Sequence, residues 1–307
     1  MHKPMFGMKL HFMVLVSASI VIGTEAYGQS GESKVEVRLP STISVAMPHV
    51  PTWTQVEIIN NGNGPVEYLQ AGFGERLFFE LKKGLASGVS MRGVTPSFYW
   101  GQEVYKKVPP NEQAAEPILL DDYVGFLSEG EYVFQVSLQV KVRSNANENR
   151  PKPVRLEQSV KISVGKFDSK EFARILGNLA SDCRSRDYEK ATMAARSLST
   201  IQDKMAGTFI LSVIGEGKSN SDVLRTLLPQ LARFPETEGA FEVSLRYLDN
   251  KDLSIRLQSI LVLSGISITQ EKKQKVIEMF KQRLPKEEDE ALKEMLQDKI
   301  AKLEKTL

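Results

Sequence analysis

Residues 215–219 read Gly-Glu-Gly-Lys-Ser, and a glycine followed by Lys218 and Ser219 is the ending of a phosphate-binding loop. That loop needs G-x-x-x-x-G-K-S, because its backbone N–H groups cradle phosphate while the lysine and hydroxyl complete the site. Its first glycine would fall at 212, where this chain has Ser212. The motif must also follow a strand, whereas Phe209, Ile210 and Val213 recur at helical spacing. The stretch therefore reads as a turn between two helices. Gly215 or Gly217 takes the left-handed C-cap, and Asn220 or Ser221 caps the next helix.

Other chemistry-bearing residues are few. The chain has three histidines and one cysteine. His2 and His11 lie in the first dozen residues, which leaves His49, set between prolines in AMPHVPTW, and Cys183. A zinc site built from Cys and His needs three or four such ligands and is excluded. A Ser-His-Asp triad would have to use His49, which reads as a surface-loop residue. The acidic run at 287–290 follows Pro285 and reads as negative charge at a helix start. NNGNGP at 60–65 does not meet the calcium-loop pattern of alternating Asp/Asn with Gly at position six and Glu at twelve, and EKKQK at 271–275 reads as a solvated helix face. No catalytic residue, metal ligand or cofactor site is expected. One stretch stands out for binding: Phe98, Tyr99 and Trp100 lie in succession within TPSFYWGQ. Exposed, such rings stack on sugars or anchor a partner; in a strand, Phe98 and Trp100 would face a core.

The N-terminus carries Lys3 and Lys9, an uncharged run from Phe12 to Gly23, and small residues at Ala26 and Gly28. This is the layout of a secretory signal peptide over 1–28, cleaved after Gly28 or, alternatively, Ala26. The run is shorter than the ~20 apolar residues of a membrane-spanning helix, so no stable span is expected after cleavage. Removing residues 1–28 leaves 38 basic against 37 acidic residues. A near-neutral chain gives no compositional support for nucleic-acid binding. A single cysteine allows no intrachain disulfide, which fits a bacterial exported protein, periplasmic or extracellular, better than a small animal extracellular module. Cys183 reads as a buried structural thiol, with pairing between chains as the alternative.

At 307 residues the chain can hold two cores. From 33 to 165 the apolar residues alternate with period two: Val35, Val37 and Leu39, then WTQVEII, VEYL, RLFFEL, EPILL, EYVFQVSLQVKV and VRLEQSVKISV, with Asn, Gly and Pro clusters between several of them. The pattern predicts an antiparallel β-sandwich. The GEYVFQVSL stretch, with Gly130 and Tyr132 opening a strand, resembles the penultimate strand of immunoglobulin-like domains. The resemblance implies that Tyr132 ties a corner by hydrogen-bonding nearby backbone. A fibronectin-like sandwich would read the same.

From 168 to 307 the period becomes 3.6. DSKEFARILGNLA opens with a capping box, Asp168 and Glu171, and places Phe172, Ile175, Leu176 and Leu179 on one stripe. Seven more amphipathic segments follow, SDVLRTLLPQLARF among them as one helix. FEVSLRYLDNKDLSIRLQSILVLSGI, with Asp249, Asp252 and Arg256 at its turn, resembles a HEAT-type repeat. That resemblance implies that the turn acid caps the second helix and that Arg256 bonds acids in a neighbouring repeat. LPKEEDEALKEML returns 36 residues later, Leu284 on Leu248. Either a short α-solenoid of about four helix pairs or an irregular bundle satisfies this pattern.

The expected function is that of an exported, non-enzymatic interaction or scaffold protein whose helical array contacts another protein. A glycan-binding module using Phe98, Tyr99 and Trp100, or a hydrolase with a histidine-free site, are the alternatives.

Overall fold

A computed structural model describes residues 34–69, 77–84, 105–125, 127–144, 151–266 and 269–307. Two compact units are present, Met1–Pro48 with Thr52–Phe167, and His49–Pro51 with Asp168–Leu307.

The first unit is β-rich and built on two sheets. Strands β1 (Val35–Arg38), β3 (Trp53–Asn60) and β7 (Gln113–Leu119) form one, antiparallel, in the order β1-β3-β7. The second is ordered β2 (Thr42–Val45), β9 (Lys152–Val164), β8 (Gly130–Arg143), β4 (Val66–Leu69), β6 (Tyr105–Val108). Strand β5 (Leu77–Lys83) also pairs with β8. The period-two pattern sets the register: Tyr132, Phe134, Val136, Leu138, Val140 and Val142 of β8 are all buried, and the residues between them are more exposed. A one-residue slip would turn that whole face to water. Both sheets contribute to one core, with Val56, Ile58 and Ile118 from the first and Phe134, Val160 and Ile162 from the second.

Two strands, β2 and β6, escape the sequence pattern: Tyr-Lys-Lys-Val breaks the alternation at Lys106 and Lys107, and Thr-Ile-Ser-Val offers only Ile43 and Val45. The expectation of a wholly antiparallel arrangement also fails at β2, which runs parallel to β9 from Thr42↔Lys161 to Val45↔Val164. Only Leu39–Ser41 separates β1 from β2. Although so short a link would suit a hairpin, β2 joins the edge of β9 instead of pairing back on β1.

Polar residues fix the corners. Asn60, fully buried, accepts a hydrogen bond from the Gly62 N–H and donates through Nδ2 toward the carbonyls of Gly64, Val108 and Pro109. NNGNGP is therefore a turn clamped to the β6–β7 connection. Tyr132 donates from its hydroxyl to the Ser128 carbonyl at 3.0 Å, the corner tie implied by the resemblance to immunoglobulin-like domains. Gly84, with φ +143°, lies against its ring, where an added Cβ would fall 2.5 Å from Cδ1. Helix α1 (Asp121–Val124) is a single turn, and its buried Asp121 accepts from the Thr52 N–H at 2.8 Å.

The second unit holds eight α-helices among the described residues: α2 (Ser169–Asp182), α3 (Tyr188–Thr200), α4 (Met205–Gly215), α5 (Ser221–Leu227), α6 (Ala240–Arg246), α7 (Leu253–Gly265), α8 (Gln270–Arg283) and α9 (Glu290–Glu304). SDVLRTLLPQLARF is not one helix. Pro229 has no N–H to donate and its ring crowds the preceding turn, so α5 stops at Leu227 and continues as a 3₁₀ segment, Leu228–Arg233. Consecutive helices pack as pairs, α2 with α3, α6 with α7, α8 with α9. First helices also pack on first helices, α2 on α4 and α4 on α6, and second on second, α3 on α5 and α5 on α7. Every second helix starts with an Asx cap: Asp187, Asn220, Asp252 and Asp289, each accepting a backbone N–H. Phe172, Leu176, Leu198, Ile210, Leu227, Leu263, Phe280 and Leu296 are all fully buried. At about 1.5–3 kcal/mol for each such side chain, burial dominates over the surface polar contacts described below.

Candidate functional site

Side chains at the starts of three second helices, α3, α5 and α7, are joined into a row. Tyr188, the first residue of α3, donates from its hydroxyl to Asp222 in the first turn of α5. Asp222 also accepts from Arg225 at 2.8 Å, and Arg225 reaches the carboxylate of Asp252, the cap of α7. Asp252 meanwhile accepts from the N–H groups of Ser254 and Ile255 at 2.9 and 3.2 Å. The Arg225 hydrogen bond, reinforced by these N–H groups, holds the Asp252 carboxyl below its usual range despite partial burial. The row crosses three helix pairs at the surface, with the Tyr188 side chain 60% and the adjacent Leu253 43% exposed.

A second cluster lies under the last pair. Glu287, the first residue of the acidic run read as helix-start charge, has a side chain with no solvent exposure. The reason is that Leu284–Lys286 form a 3₁₀ turn and α9 begins only at Glu290, so Glu287 points inward while Asp289 provides the cap. Arg256 grips Glu287 with two hydrogen bonds of 2.9 and 2.8 Å, Arg283 adds one of 2.9 Å, and the N–H groups of Glu288 and Asp289 add two more. Burial alone would raise the carboxyl pKa. The hydrogen bonds from Arg256 and the Asp289 N–H, with the charges of both guanidiniums, outweigh it and bring the value down to about 2. Arg256 also donates to the carbonyls of Asn250 and Lys251.

Of the three residues expected at this turn, Asp252 caps α7 and Arg256 bonds Glu287 of the next helix pair. Asp249 caps no helix. Its side chain is 68% exposed and approaches Arg283 only to 3.8 Å, because the chain at Tyr247–Asp249 is still in a 3₁₀ turn and the cap falls three residues later. Glu287 and the Asx spacing of 187, 220, 252 and 289 were not singled out from sequence. The recurring Asx itself was the available signal.

Gly-Glu-Gly-Lys-Ser is a helix–helix turn. Gly217 has φ +67°, Asn220 caps α5 through the Val223 N–H at 2.9 Å, and Lys218 is exposed. The carbonyls that end α4 are taken by neighbours, Gly215 by Arg246 at 2.7 Å and Ile214 by the Tyr247 hydroxyl at 2.5 Å. Ser219, which would hold a metal in a phosphate loop, donates to the Val213 carbonyl.

In the β-unit a polar bridge crosses the core. Glu116 on β7 accepts from the hydroxyl of fully buried Tyr68 on β4 and from Lys106 on β6 at 2.7 Å. Burial first, then the Glu116 hydrogen bond, push the Tyr68 phenol well above its usual range, so it stays a donor. Cys183 is buried, and burial pushes its thiol up to about 12, which removes the thiolate needed for nucleophilic chemistry. His49 is an exposed loop residue with φ 67°. No group of three His, Cys, Asp or Glu with metal-holding geometry occurs among the described residues, and none of the described helices is long and apolar enough to cross a membrane. Phe98, Tyr99, Trp100 and the segment 1–28, expected as a signal peptide, lie outside the described residues.

No family model matches the chain. No curated protein matches it either. Among solved structures it is similar to an ASH/PapD-like domain of human CEP192, at 14% identity, covering 50% of this chain and 99% of that domain with a TM-score of 0.27. It is also similar to WR4, an MSP family member of C. elegans, at 11% identity, covering 43% of this chain and 97% of that one with a TM-score of 0.21. The native conformation of E. coli alpha-2-macroglobulin is similar over 90% of this chain and 22% of its own, at 10% identity and a TM-score of 0.21.

Proposed function

We propose that this chain is an exported, non-enzymatic interaction protein, an immunoglobulin-like sandwich followed by a short HEAT-like solenoid of four helix pairs. The single observation that carries the reading is the row Tyr188–Asp222–Arg225–Asp252, which orders exposed side chains of three successive pairs before any partner arrives. Exposed ion pairs contribute only ~0–1 kcal/mol each. Their effect here is on the surface: long side chains already held in one geometry lose less entropy on binding, and tyrosine and arginine are the residues in which interface energy concentrates. Tyr188 and Leu253 add apolar area beside the charges.

The test is site-specific photo-crosslinking in the native host, with the reactive residue at Tyr188 or Leu253 and, as control, at Lys281 on α8. One protein captured from Tyr188 and Leu253, and lost on Arg225→Glu, is the expected result. Equal capture from Lys281, or none from the row, rejects the surface. Export is checked by N-terminal sequencing of the mature chain, expected to begin at Gln29; retention of Met1 in a cytoplasmic fraction rejects it.

A further inference from the structure

The last helix pair contains a cavity that the contact row does not use. It measures about 370 Å³ and is lined by Ser264, Ile266, Lys273, Lys299, Lys302, Leu303 and Thr306. The end of α7, the start of α8 and the end of α9 border it and leave it open to solvent on one side, with Lys273 donating to the Thr306 carbonyl at 3.1 Å. Three ammonium groups border this one space, and the carboxylates do not match them. Lys302 is paired with Asp298 at 2.8 Å, and Glu304 is taken by Lys281 at 2.7 Å. Lys273 is hydrogen-bonded to Thr306 alone, and Lys299 has no acidic partner among the described residues. Both are half-buried rather than spread in solvent.

Helix dipoles offset only part of the excess. The ends of α7 and α9 each carry about half a negative charge and the start of α8 about half a positive one, which leaves about half a negative charge against three ammonium groups. The hydroxyls of Ser264 and Thr306 already donate to the carbonyls of Ile260 and Leu303. Charge recognition therefore falls to the lysines, while Ile266 and Leu303 supply an apolar wall.

We propose that this cavity binds a small anion, a phosphate or carboxylate group on a short carbon skeleton, with Lys273 and Lys299 as its principal ligands. Its volume is near the lower end of the ~300–1,000 Å³ typical of ligand pockets, which limits the occupant to a small molecule or a single headgroup. This site is separate from the partner surface, and neither depends on the other.

Calorimetric titration of the full chain with inorganic phosphate, glycerol phosphate and citrate at low ionic strength, alongside sedimentation with phosphatidylglycerol vesicles, tests it. Binding in either arm is expected, weakened about tenfold or more by Lys299→Gln, the loss of one charge-assisted contact. Lys286→Gln, an exposed lysine at the other end of α8, should leave it unchanged. Response to the soluble anions assigns a free metabolite, and response to vesicles alone assigns a lipid headgroup. No binding in either arm at millimolar concentration overturns the proposal, as does equal weakening by Lys286→Gln. Circular dichroism confirms that the variants are folded.

Discussion

Glu116 in the β-unit and Glu287 in the helical unit are both carboxylates withdrawn from water, with side chains 7% and 0% exposed, and they are held in different ways. Glu116 receives its donors from Tyr68, 48 residues back, and from Lys106, 10 residues back, both on strands of the other sheet, so its surroundings exist only once strands of both sheets have come together. Glu287 receives two donors from the next two backbone N–H groups, one from Arg283 four residues earlier, and the remainder from Arg256 in the preceding pair. The β-unit thus secures polar groups by long-range pairing, and the helical unit by contacts within a helix pair or between neighbouring pairs. That difference predicts where damage spreads: across both sheets in the first case, through one helix pair in the second.

Removing the better-held carboxylate breaks this comparison most severely. Glu287→Ala leaves Arg256 and Arg283 without their shared counter-ion and is expected to cost about 3–5 kcal/mol. Urea unfolding followed by far-UV circular dichroism should show loss concentrated in helix signal; an unchanged midpoint would mean that the guanidiniums find other partners.

The same group governs acid sensitivity. Its folded pKa is depressed from 4.5 to about 2, so the unfolded chain takes up the proton first. The contribution is complete above about pH 4.5 and is lost as pH falls toward 2, on the order of 3 kcal/mol in all. Wild-type unfolding midpoints should fall through that window more steeply than those of Glu287→Gln, and parallel curves would remove Glu287 from the account.

Tyr68→Phe deletes the long-range donor to Glu116 and should cost about 1–3 kcal/mol. Hydrogen exchange is expected to rise on β4 and on β7 together, in different sheets. A rise confined to β4 would refute the bridging role.

Gly217→Ala places a side chain at φ +67° with open space around it. The cost is backbone strain only, roughly 1 kcal/mol, with no change in nucleotide affinity, read by thermal melting with and without ATP.

Arg225→Ala is the smallest perturbation to stability, under about 1 kcal/mol, yet in the crosslinking experiment it should reduce partner capture from Tyr188. A large stability loss instead would make the row a structural element.

The helical unit was the more legible of the two because its information is local. Asp168, Asp252 and the stripe around Phe172 identify helix starts and buried faces within a dozen residues. Even there, the burial of Glu287 could not be read, since the 3₁₀ turn at Leu284–Lys286 is a matter of a few hydrogen bonds that no spacing rule records. In the β-unit the alternation of β8 and the Tyr132 corner could be read directly. The parallel edge of β2 and the Tyr68–Glu116–Lys106 bridge could not, because residues tens of positions apart must first be brought together by pairing.

What the amino-acid sequence alone determined is the change of period near residue 165, the turn identity of Gly-Glu-Gly-Lys-Ser, and the scarcity of histidine and cysteine for chemistry. Each follows from residue type and local spacing, which act within one or two turns of chain. Tertiary structure alone decided which charges became partners: Arg225 with Asp252, Arg256 with Glu287, and the lysines left uncompensated around the final cavity. Coulomb and hydrogen-bond energies fall off within a few ångströms, and proximity in space is set by packing the apolar faces, after which the polar side chains take whichever neighbours that packing supplies.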